Sequence, residues 1–335
     1  MSETSYKSAG VDLKAAEQAT RSISVLAKKT FTPGVIRDVG LFGGFFQPDF
    51  TNYNEPILVA SVDGVGTKLK IAFQMGIHQT VGEDLVNHCV NDIMTGGAVP
   101  LFFLDYIATS KLEPMVVQQI VEGLVRGCEQ AQCALIGGET AELPGFYQPG
   151  EYDIAGTILG IVEKDKIIDG RQVAPGDILI GVPSTGLHTN GYSLARMVLF
   201  ERQSYKIDQK FDELGVTLGE ALLAVHRSYQ PMILALKDEP YLKAMSHITG
   251  GGIVGNTQRV IPKGLSLRIY WENWEIPPLF KLIQKAGQIS DDEMRQVFNM
   301  GIGFIFIVSR DQAEKAVLEL NEFEEFVFIV GEVFE

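Results

Sequence analysis

The 335-residue chain carries 28 lysines and arginines against 42 aspartates and glutamates, a formal net charge of −14, with 46% hydrophobic and 21% charged residues. This composition is typical of a globular protein of about two domains and excludes long disorder, collagen and coiled coil as the main architecture. The acidic balance argues against generic binding to a nucleic-acid backbone, although a nucleotide can still bind through a divalent cation.

Neither a membrane anchor nor an export signal is predicted. The longest apolar runs, 99–104 and 301–308, are far shorter than the roughly 20 residues that a membrane-spanning helix needs. The N-terminal residues lack the apolar core of a signal peptide. Cys89, Cys128 and Cys133 are scattered without a CxxC pattern, which favours reduced, buried thiols. We therefore expect a cytoplasmic protein.

The first half of the chain predicts alternating strands and helices. Residues 1–55 are glycine-rich and weakly periodic, and we expect them to form an arm or flap. The predicted elements that follow are, in chain order, the strand Pro56–Val62, the helices Thr67–Gly76 and Gly82–Thr95, the strand Leu101–Ala108, the helix Pro114–Gln130, and the strands Ala134–Ile136 and Ile154–Val162.

A polar stretch with glycine and proline, 164–175, predicts a domain boundary, after which the pattern restarts. Ser290 and Glu293 have the spacing of a capping box. The predicted elements are the strand Ile178–Val182, the helices Tyr192–Glu201, Leu218–Leu236, Ile253–Val260 and one starting near Asp291, the strand Ile302–Val308, the helix Gln312–Leu320 and the strand Phe326–Glu332. We predict two α/β or α+β domains, 1–169 and 170–335.

The first candidate site follows the first predicted strand and comprises Asp63, Gly64, Val65, Gly66, Thr67 and Lys68. Its glycines allow close approach of the backbone to a ligand, and the N–H groups at a helix start favour anionic oxygens. Asp63 can hold Mg²⁺, and Lys68 can pair with a phosphate. The order of residues is not that of a Walker A loop. A plain strand-to-helix turn with a solvated lysine is an equally good interpretation.

The second candidate is the Asn91–Asp92 pair within the predicted helix Gly82–Thr95. On a helical wheel, Asp92 lies at the edge of the apolar arc, where a carboxylate must be paired, capped or metal-bound. The residues alone favour an ion pair or hydrogen bond over a metal. Other polar residues of this helix are interpreted as a solvated face: Asp84, Asn87 and His88.

The third candidate follows the predicted strand Ala134–Ile136 and runs from Gly137 to Glu142, and its proposed binding residues are Gly137, Gly138, Glu139 and Thr140. Two glycines before an acid and a hydroxyl suit contact with a phosphate or a metal, and Glu139 is a weaker third candidate for Mg²⁺. An ordinary turn is the alternative, and the pattern does not separate the two.

The fourth candidate lies in the second domain. A histidine in a polar loop is a candidate acid or base because its ordinary pKa is near neutrality, whereas a histidine that only fixes its loop is the alternative. A triple glycine further on is a candidate phosphate cradle, with a helix-entry loop as the alternative. The residues of these two loops are Ser184, Thr185, Gly186, His188, Asn190, Gly250, Gly251 and Gly252.

Together these segments resemble the phosphoribosylformylglycinamidine cyclo-ligases, the aminoimidazole ribonucleotide synthetases of purine biosynthesis. The resemblance covers nearly the whole chain, and the order and spacing of its segments are more specific than any one motif. The segments that carry it are Tyr6–Asp12, Asp63–Lys68, Leu85–Asp92, Pro100–Tyr106, Gly137–Gly145, Ser184–Ser193, Ile248–Gly252 and Phe298–Gly303.

The resemblance implies a two-domain fold whose N-terminal sheet forms a barrel with its twin across a homodimer. It implies a small-molecule substrate, with no nucleic-acid or membrane partner. ATP and Mg²⁺ are implied, and a requirement for K⁺ stays open. In the implied reaction, ATP phosphorylates the oxygen of the formyl amide of the substrate. An amidine nitrogen then attacks the formyl carbon, and phosphate leaves.

The resemblance also implies residue roles. The first-domain segments and Asn91 are implied to bind ATP. Asp63, Asp92 and Glu139 are implied to hold Mg²⁺. The loops of the second domain are implied to bind the ribotide. His188, Asp92 and Lys68 are the implied catalytic residues.

Related enzymes fit less well. Selenophosphate synthetases carry a reactive residue near the N-terminus, whereas the first cysteine here is Cys89, and the hydrogenase maturation factors end in a reactive cysteine, whereas this sequence ends in Glu335. Thiamine-phosphate kinases lack the Tyr6–Asp12 and His188 segments. A nucleotide-binding regulatory module without turnover would tolerate loss of His188 and of the triple glycine, both of which are present.

Overall fold

The computed structural model describes residues 13–323 and 326–335. The Tyr6–Asp12 segment of the resemblance lies outside these residues. Contacts between Cα atoms divide the chain into two compact units. The first contains the chain up to Ile93 and Val99–Glu163, and the second contains Met94–Ala98 and Lys164–Glu335. Among the described residues, no helix is both long enough and apolar enough to cross a membrane.

The first unit contains α1 (Leu13–Ala27), β1 (Pro56–Gly64), α2 (Leu69–Met75), α3 (Gln79–Met94), β2 (Val99–Thr109), α4 (Pro114–Ala131), β3 (Ala134–Glu142) and β4 (Tyr152–Glu163). Its four-stranded sheet has the order β1-β4-β2-β3. The strands β2 and β3 are parallel and are connected by α4, whereas β4 is antiparallel to both of its neighbours. The sheet is therefore mixed, with one parallel pair of strands and two antiparallel pairs.

Helices α3 and α4 cross so closely that both need a glycine at the crossing point. A Cβ atom on Gly82 of α3 would lie 2.1 Å from the carbonyl oxygen of Ile120. A Cβ atom on Gly123 of α4 would lie 2.0 Å from the carbonyl oxygen of Gln79. This crossing fixes the position of α3, which carries the Asn91–Asp92 pair.

The two faces of the first sheet differ. On one face, Leu85 of α3 approaches Gly156 of β4 so closely that a Cβ on this glycine would lie 3.2 Å from its side chain. On the other face, Leu58, Val62 and Tyr106 are 56%, 68% and 41% exposed. The strand register places these three apolar side chains on one face, because Val62 and Leu104 both lie opposite Thr157.

The second unit has a five-stranded sheet of order β6-β8-β5-β9-β7, in which every neighbouring pair is antiparallel. Its elements are β5 (Ile178–Pro183), α5 (Tyr192–Arg196), α6 (Leu218–Leu223), α7 (Gln230–Leu236), β6 (Leu242–His247), α8 (Gly252–Thr257), β7 (Ser266–Ile269), α9 (Pro278–Gly287), α10 (Asp291–Val297), β8 (Ile302–Val308), α11 (Ala313–Leu320) and β9 (Phe328–Phe334). All residues of β8 are buried, and Leu179, Ile305 and Val330 belong to one hydrophobic core.

Most predicted elements are present, with ends that shift by a few residues. The strand β8 has the predicted bounds, Ile302–Val308. The predicted start of α10 is confirmed, because the Ser290 hydroxyl accepts a hydrogen bond from the Glu293 N–H at 3.3 Å. The segment Leu218–Leu236, which was predicted to hold one helix, instead holds two, α6 and α7. Pro231 lies in the first turn of α7, where its missing N–H needs no helical partner, whereas inside one continuous helix it would remove a backbone hydrogen bond.

Three further expectations are wrong or incomplete. Residues 13–27, expected to belong to an arm, form the helix α1, which packs against α4 and buries Ala19 and Ala27. The strands β6 and β7 and the helix α9 were not predicted. The predicted strand Ala134–Ile136 continues to Glu142, so Gly137–Thr140 lie within a strand rather than in a turn.

Candidate active site

Asp63 lies near the end of β1, and its side chain faces α3. One carboxylate oxygen of Asp63 accepts a hydrogen bond from the Gly64 N–H at 2.7 Å. The chain then turns at Gly66, whose φ of +65° favours glycine, and continues through a short 3₁₀ turn into α2. The side chain of Asp63 is 41% exposed. The loop therefore presents a partly hydrated carboxylate at the end of the strand.

His88 of α3 brings Asp63 together with Asp92. His88 Nε2 lies 2.9 Å from Asp63 Oδ2 and 3.8 Å from Asp92 Oδ2. Asp92 follows His88 by one helical turn, and it accepts a hydrogen bond from the Ser61 hydroxyl at 3.4 Å. We call Asp63, His88 and Asp92 the carboxylate site. His88 and Asn87 are buried, so the expectation of a solvated face at these residues is wrong.

The charge state of His88 follows from its neighbours. Burial lowers the pKa of His88, but the hydrogen bond with Asp63 and the negative charges of Asp92, Asp63 and Asp84 together outweigh it and raise this pKa above its ordinary value. The two carboxylates of the site therefore make the imidazole easier to protonate than an isolated histidine. Asp92 keeps 30% of its side chain exposed, as its predicted place at the edge of the apolar arc requires.

Lys68 forms a buried ion pair instead of facing a ligand. Its Nζ lies 2.8 Å from the carboxylate of Asp84, and both side chains are fully buried. Burial lowers the pKa of Lys68, and the charge of Asp84 opposes this effect only in part. The interpretations of Lys68 as a phosphate ligand and of Asp84 as a solvated residue are therefore not supported. The ion pair instead joins the start of α2 to α3.

Asn91 is fully buried, unlike its neighbour Asp92. Because the core surrounds this side chain, the structure gives it a place in the packing of α3 rather than at an open surface. The two residues of the predicted pair therefore differ, because the Asp92 side chain is partly exposed and the Asn91 side chain is not.

Gly138 is needed by a buried carboxylate on the neighbouring strand. Asp105 of β2 lies opposite Gly138, and a Cβ on this glycine would lie 2.3 Å from Asp105 Oδ1. Burial raises the pKa of Asp105 to about 7, and the charge of Glu139 adds to the effect. The sequence reasoning did not assign a role to Asp105. A glycine opposite an acid on a predicted strand was the available signal.

Glu139 lies too far from the carboxylate site to share an ion with it within one chain. Asp63 of β1 is opposite Gly156, Gly156 is opposite Asp105, and Asp105 is opposite Gly138. This row crosses the whole sheet, which is three strand spacings of about 4.8 Å, or roughly 14 Å. Glu139 is therefore too far from Asp63 to bind the same ion within one chain, and its role as a weaker third candidate for Mg²⁺ stays a prediction.

A pocket of about 550 Å³ lies beside β2 and β3 in the first unit. Its wall combines Asp105 and Glu139 with the glycine-rich segment 39–44, in which Leu41 and Phe42 are exposed. Gly137, Gly138 and Thr140 also line it. The third predicted group of residues thus faces a cavity, although it does so from a strand.

His188 is fully buried in the second unit, contrary to the expectation of a histidine in an open polar loop. Its Nε2 accepts a hydrogen bond from the Thr185 N–H at 3.2 Å. Its ring stacks on His226, with centroids 4.0 Å apart and planes at 19°. The backbone at His188 is left-handed, with φ of +60°. This arrangement fixes the loop that precedes His188.

Asn299 holds the same loop from the other side. The Ser184 hydroxyl contacts Asn299 Oδ1 at 3.0 Å, and Asn299 Nδ2 donates to the Gly186 carbonyl at 2.9 Å. Ser184, Thr185 and Gly186 line a pocket of about 390 Å³ in the second unit. Asn299 belongs to the Phe298–Gly303 segment of the family resemblance, but no role was predicted for it from the sequence.

The triple glycine wraps around one asparagine side chain. Asn256 Nδ2 donates towards the carbonyl oxygens of Thr249, Gly250 and Gly252 at 3.2, 3.3 and 2.8 Å. A Cβ on Gly250 would lie 3.3 Å from Asn190 Oδ1. The two predicted substrate loops of the second domain are therefore neighbours.

Comparisons with known proteins agree with this architecture. The family of AIR synthase related proteins matches twice, its N-terminal domain at residues 51–162 and its C-terminal domain at residues 174–335. The fold and these two domains define an AIR synthase related protein.

The curated relatives narrow this class. The phosphoribosylformylglycinamidine cyclo-ligase of Alkaliphilus metalliredigens is 50% identical over 333 residues, which cover 99% of this chain and 96% of the relative. That of Syntrophotalea carbinolica is 51% identical over 328 residues, which cover 98% and 94%. The chain belongs to the phosphoribosylformylglycinamidine cyclo-ligase family of enzymes.

Solved structures share the fold at low identity. HypE of E. coli has a TM-score of 0.68 at 18% identity and covers 94% of this chain and 91% of its own. Thiamine-monophosphate kinase of Stenotrophomonas maltophilia has a TM-score of 0.66 at 16% identity, with 93% and 92% covered. A HypE structure in complex with ATP has a TM-score of 0.66 at 16% identity, with 92% and 84% covered. These likenesses concern the fold alone.

Proposed function

We propose that this chain catalyses the ATP-dependent closure of formylglycinamidine ribonucleotide to 5-aminoimidazole ribonucleotide, with ADP and phosphate as the other products, in purine biosynthesis in the cytoplasm. The observation that carries the proposal is the identity of about 50% with named cyclo-ligases over nearly the full length of both chains. The reaction balances when ATP phosphorylates the formyl amide oxygen. An amidine nitrogen then forms the new C–N bond, and the C–O bond to phosphate breaks.

The carboxylate site is the place that we assign to Mg²⁺. Its donor set fits this ion, because Asp63 and Asp92 offer partly exposed carboxylate oxygens, which Mg²⁺ prefers. Mg²⁺ supplies positive charge that offsets the phosphates of ATP. His88 holds the two carboxylates in place, and the buried pair of Lys68 and Asp84 supports α3 behind them. The ATP-bound structural neighbour makes a nucleotide on this fold plausible.

The loops of the second unit are assigned to the ribotide. Ser184, Thr185 and Gly186 line the pocket of the second unit, and Asn190 lies next to Gly250. The burial of His188 favours a positioning role, in which it holds the Thr185 N–H, over proton transfer at an open surface.

The function is tested with purified protein, ATP, Mg²⁺ and formylglycinamidine ribonucleotide. Formation of aminoimidazole ribonucleotide and release of ADP that depends on the ribotide are expected. A nucleotide-binding module without turnover predicts ATP binding but no ribotide-dependent ADP. That result would contradict the proposed function.

The assignment of the carboxylate site is tested separately by calorimetry. Asp63→Ala and Asp92→Ala are expected to weaken Mg–ATP binding by about tenfold or more, which corresponds to about 1.4 kcal/mol, and to abolish turnover in a folded protein. Asp165→Ala, which removes an exposed carboxylate outside the site, is the control. Unchanged Mg–ATP affinity in both site variants would show that the ion binds elsewhere.

A further inference from the structure

Three histidines from separate segments meet in the core of the second unit. His188 follows β5, His226 lies between α6 and α7, and His247 ends β6. Their exposures are 0%, 0% and 6%. One ligand nitrogen of each ring lies within 4.8 Å of those of the other two. We call these residues the histidine cluster. His226 and His247 have no part in the function proposed above.

Two contacts define the geometry of the histidine cluster. His226 Nε2 lies 2.9 Å from His247 Nε2, so one of these nitrogens carries a proton and the other directs a lone pair at it. The rings of His188 and His226 stack at 4.0 Å. The Thr189 hydroxyl lies 3.4 Å from His226 Nδ1 and can orient this ring from outside. The three rings thus form one contiguous group.

Burial determines which ligand such a group suits. Several protonated rings at these separations would place like charges together away from water, which is costly. Neutral imidazole is the commonest protein ligand for transition-metal cations, and it suits Zn²⁺, Ni²⁺ and Cu²⁺ better than the oxygen-preferring Mg²⁺. The chemistry of the histidine cluster is therefore distinct from that of the carboxylate site.

We propose that the histidine cluster binds a divalent transition-metal cation of the Zn²⁺ class through one nitrogen of each ring. Two nitrogens that each lie about 2.0–2.1 Å from Zn²⁺ in a tetrahedral site are about 3.3 Å apart. The separations in the cluster, 2.9 Å for one pair and at most 4.8 Å for the others, bracket this value. Both facing nitrogens of His226 and His247 can bind the cation once the proton between them is released or moves to the other nitrogen of its ring. Rotation of His188 out of its stack with His226 then gives a three-histidine site with a fourth position for water.

Metal binding has a consequence for activity because His188 belongs to both arrangements. Its Nε2 accepts the hydrogen bond from the Thr185 N–H, so a rotation of the ring towards a cation weakens the support of the 184–186 loop. Zn²⁺ then inhibits ring closure, and a chelator reverses the inhibition. This consequence rests on the proposed function, whereas metal binding does not.

The binding experiment uses the full chain without a histidine tag, stripped with EDTA and kept in millimolar Mg²⁺ to occupy the carboxylate site. Equilibrium dialysis should find one equivalent of Zn²⁺ per chain, and Co²⁺ should give a visible ligand-field band. Loss of an outer partner of a metal ligand typically weakens binding by about 10–100-fold. His226→Ala and His247→Ala remove ligands, and we expect losses at least that large.

Matched variants separate this site from others. His78→Ala changes a histidine of the first unit that lies outside the histidine cluster, and this variant should keep the Co²⁺ band. His226→Gln, which retains most of the side-chain volume, should lose the rise in melting temperature that Zn²⁺ gives the unmodified chain. A chain that binds no Zn²⁺ at micromolar concentration overturns the proposal. His226→Ala and His226→Gln variants that bind as tightly as the unmodified chain also overturn it.

The activity measurement then tests the consequence alone. The ratio of turnover with Zn²⁺ to turnover with EDTA should fall at least about tenfold for the unmodified chain and stay near one for His226→Gln. Binding without inhibition supports the metal site and overturns its effect on turnover. Absence of cyclo-ligase activity overturns the proposed function, and the Co²⁺ band still decides the metal site.

Discussion

His88 holds two carboxylates that would otherwise repel each other. Asp63 comes from a strand and Asp92 from a helix, and His88 Nε2 lies 2.9 Å from one and 3.8 Å from the other. Because both carboxylates remain partly exposed, a cation can still reach their outer oxygens. At the scale of single residues, the proposed cation site therefore combines a strand residue, Asp63, with polar side chains of α3.

The buried pair of Lys68 and Asp84 gives a prediction that separates structure from catalysis. Lys68→Met leaves Asp84 without its partner in the core, and we expect a loss of about 3–5 kcal/mol in the free energy of unfolding. The double variant Lys68→Met/Asp84→Leu should recover most of this stability, because neither charge is then buried. Urea unfolding of Lys68→Met, of Asp84→Leu and of the double variant measures the effect.

Mg–ATP affinity of the folded double variant provides the control. If Lys68 only joins α2 to α3, this affinity should stay close to that of the unmodified chain. A double variant that is stable but has lost Mg–ATP binding would restore Lys68 as a phosphate ligand.

Asp105 gives a prediction for the dependence of stability on pH. Its pKa in the folded chain, about 7, is above the ordinary value of about 3.9, so the folded chain binds more protons between these values. The stabilising contribution of Asp105 is therefore complete below the lower pKa and is lost as the pH rises through about 7. Asp105→Asn should be more stable than the unmodified chain at pH 8, by about 4 kcal/mol at most, with little difference near pH 4.

Thermal unfolding of both proteins from pH 4 to pH 8 tests this sign. Glu139→Gln is the matched comparison, because Glu139 contributes less than burial to the raised pKa of Asp105 and should change the pH dependence only slightly. A stability difference between Asp105→Asn and the unmodified chain that does not change with pH would contradict the prediction.

At the scale of elements, β3 shows how a strand can carry a sequence that is typical of a turn. Gly137 and Gly138 interrupt the apolar pattern after Ile136, yet the strand continues to Glu142 because it pairs with β2 along this whole length. The glycine at 138 is required by Asp105, whereas a Cβ on Gly137 would lie at an ordinary 3.5 Å from Leu104. The two neighbouring glycines therefore differ, because close packing against Asp105 requires glycine at position 138 but not at position 137.

Substitution of these two glycines tests this difference. Gly138→Ala places a Cβ 2.3 Å from Asp105 Oδ1, and we expect a loss of about 1–3 kcal/mol from overpacking. Gly137→Ala should change the free energy of unfolding by well under 1 kcal/mol. Chemical denaturation at pH 7 measures both. Equal losses at the two positions would show that the contact with Asp105 is not the reason for the glycine.

At the scale of the whole molecule, one face of the first sheet exposes apolar side chains to solvent. Leu58, Val62 and Tyr106 share this face and are exposed, which is unusual for a stable surface of a single chain. We propose that a second copy of the chain covers this face, and the family resemblance supports a barrel formed by the two sheets. Each copy would then remove the apolar side chains of the other from water.

Light scattering tests the proposed homodimer. Val62→Glu should convert a dimer at micromolar concentration into a monomer, because a charge would be buried in the shared face. Leu318→Glu is a matched control, since Leu318 is 70% exposed and lies on α11 of the second unit. An unmodified chain that is monomeric and fully active, or a Val62→Glu variant that remains dimeric, would contradict the proposal.

Several features could be predicted from the sequence because they depend on neighbours along the chain. The strand Ile302–Val308 is apolar throughout. Ser290 caps the helix α10, which begins at the next residue. The helical period alone places Asp92 at the edge of the apolar arc of α3. The ordered motifs from Asp63–Lys68 onwards indicated the cyclo-ligase family, to which the chain belongs.

Only the tertiary structure decides which distant residues meet. Lys68 looked solvated because its partner Asp84 lies on another helix, and His88 looked exposed because Asp63 lies on a strand. Strand pairing places Glu139 on the far edge of the sheet from Asp63. The sequence determined local period, caps and chemical inventory, because these act through adjacent residues. Burial and pairing of charge depend on which elements pack together, so the fold alone decided them.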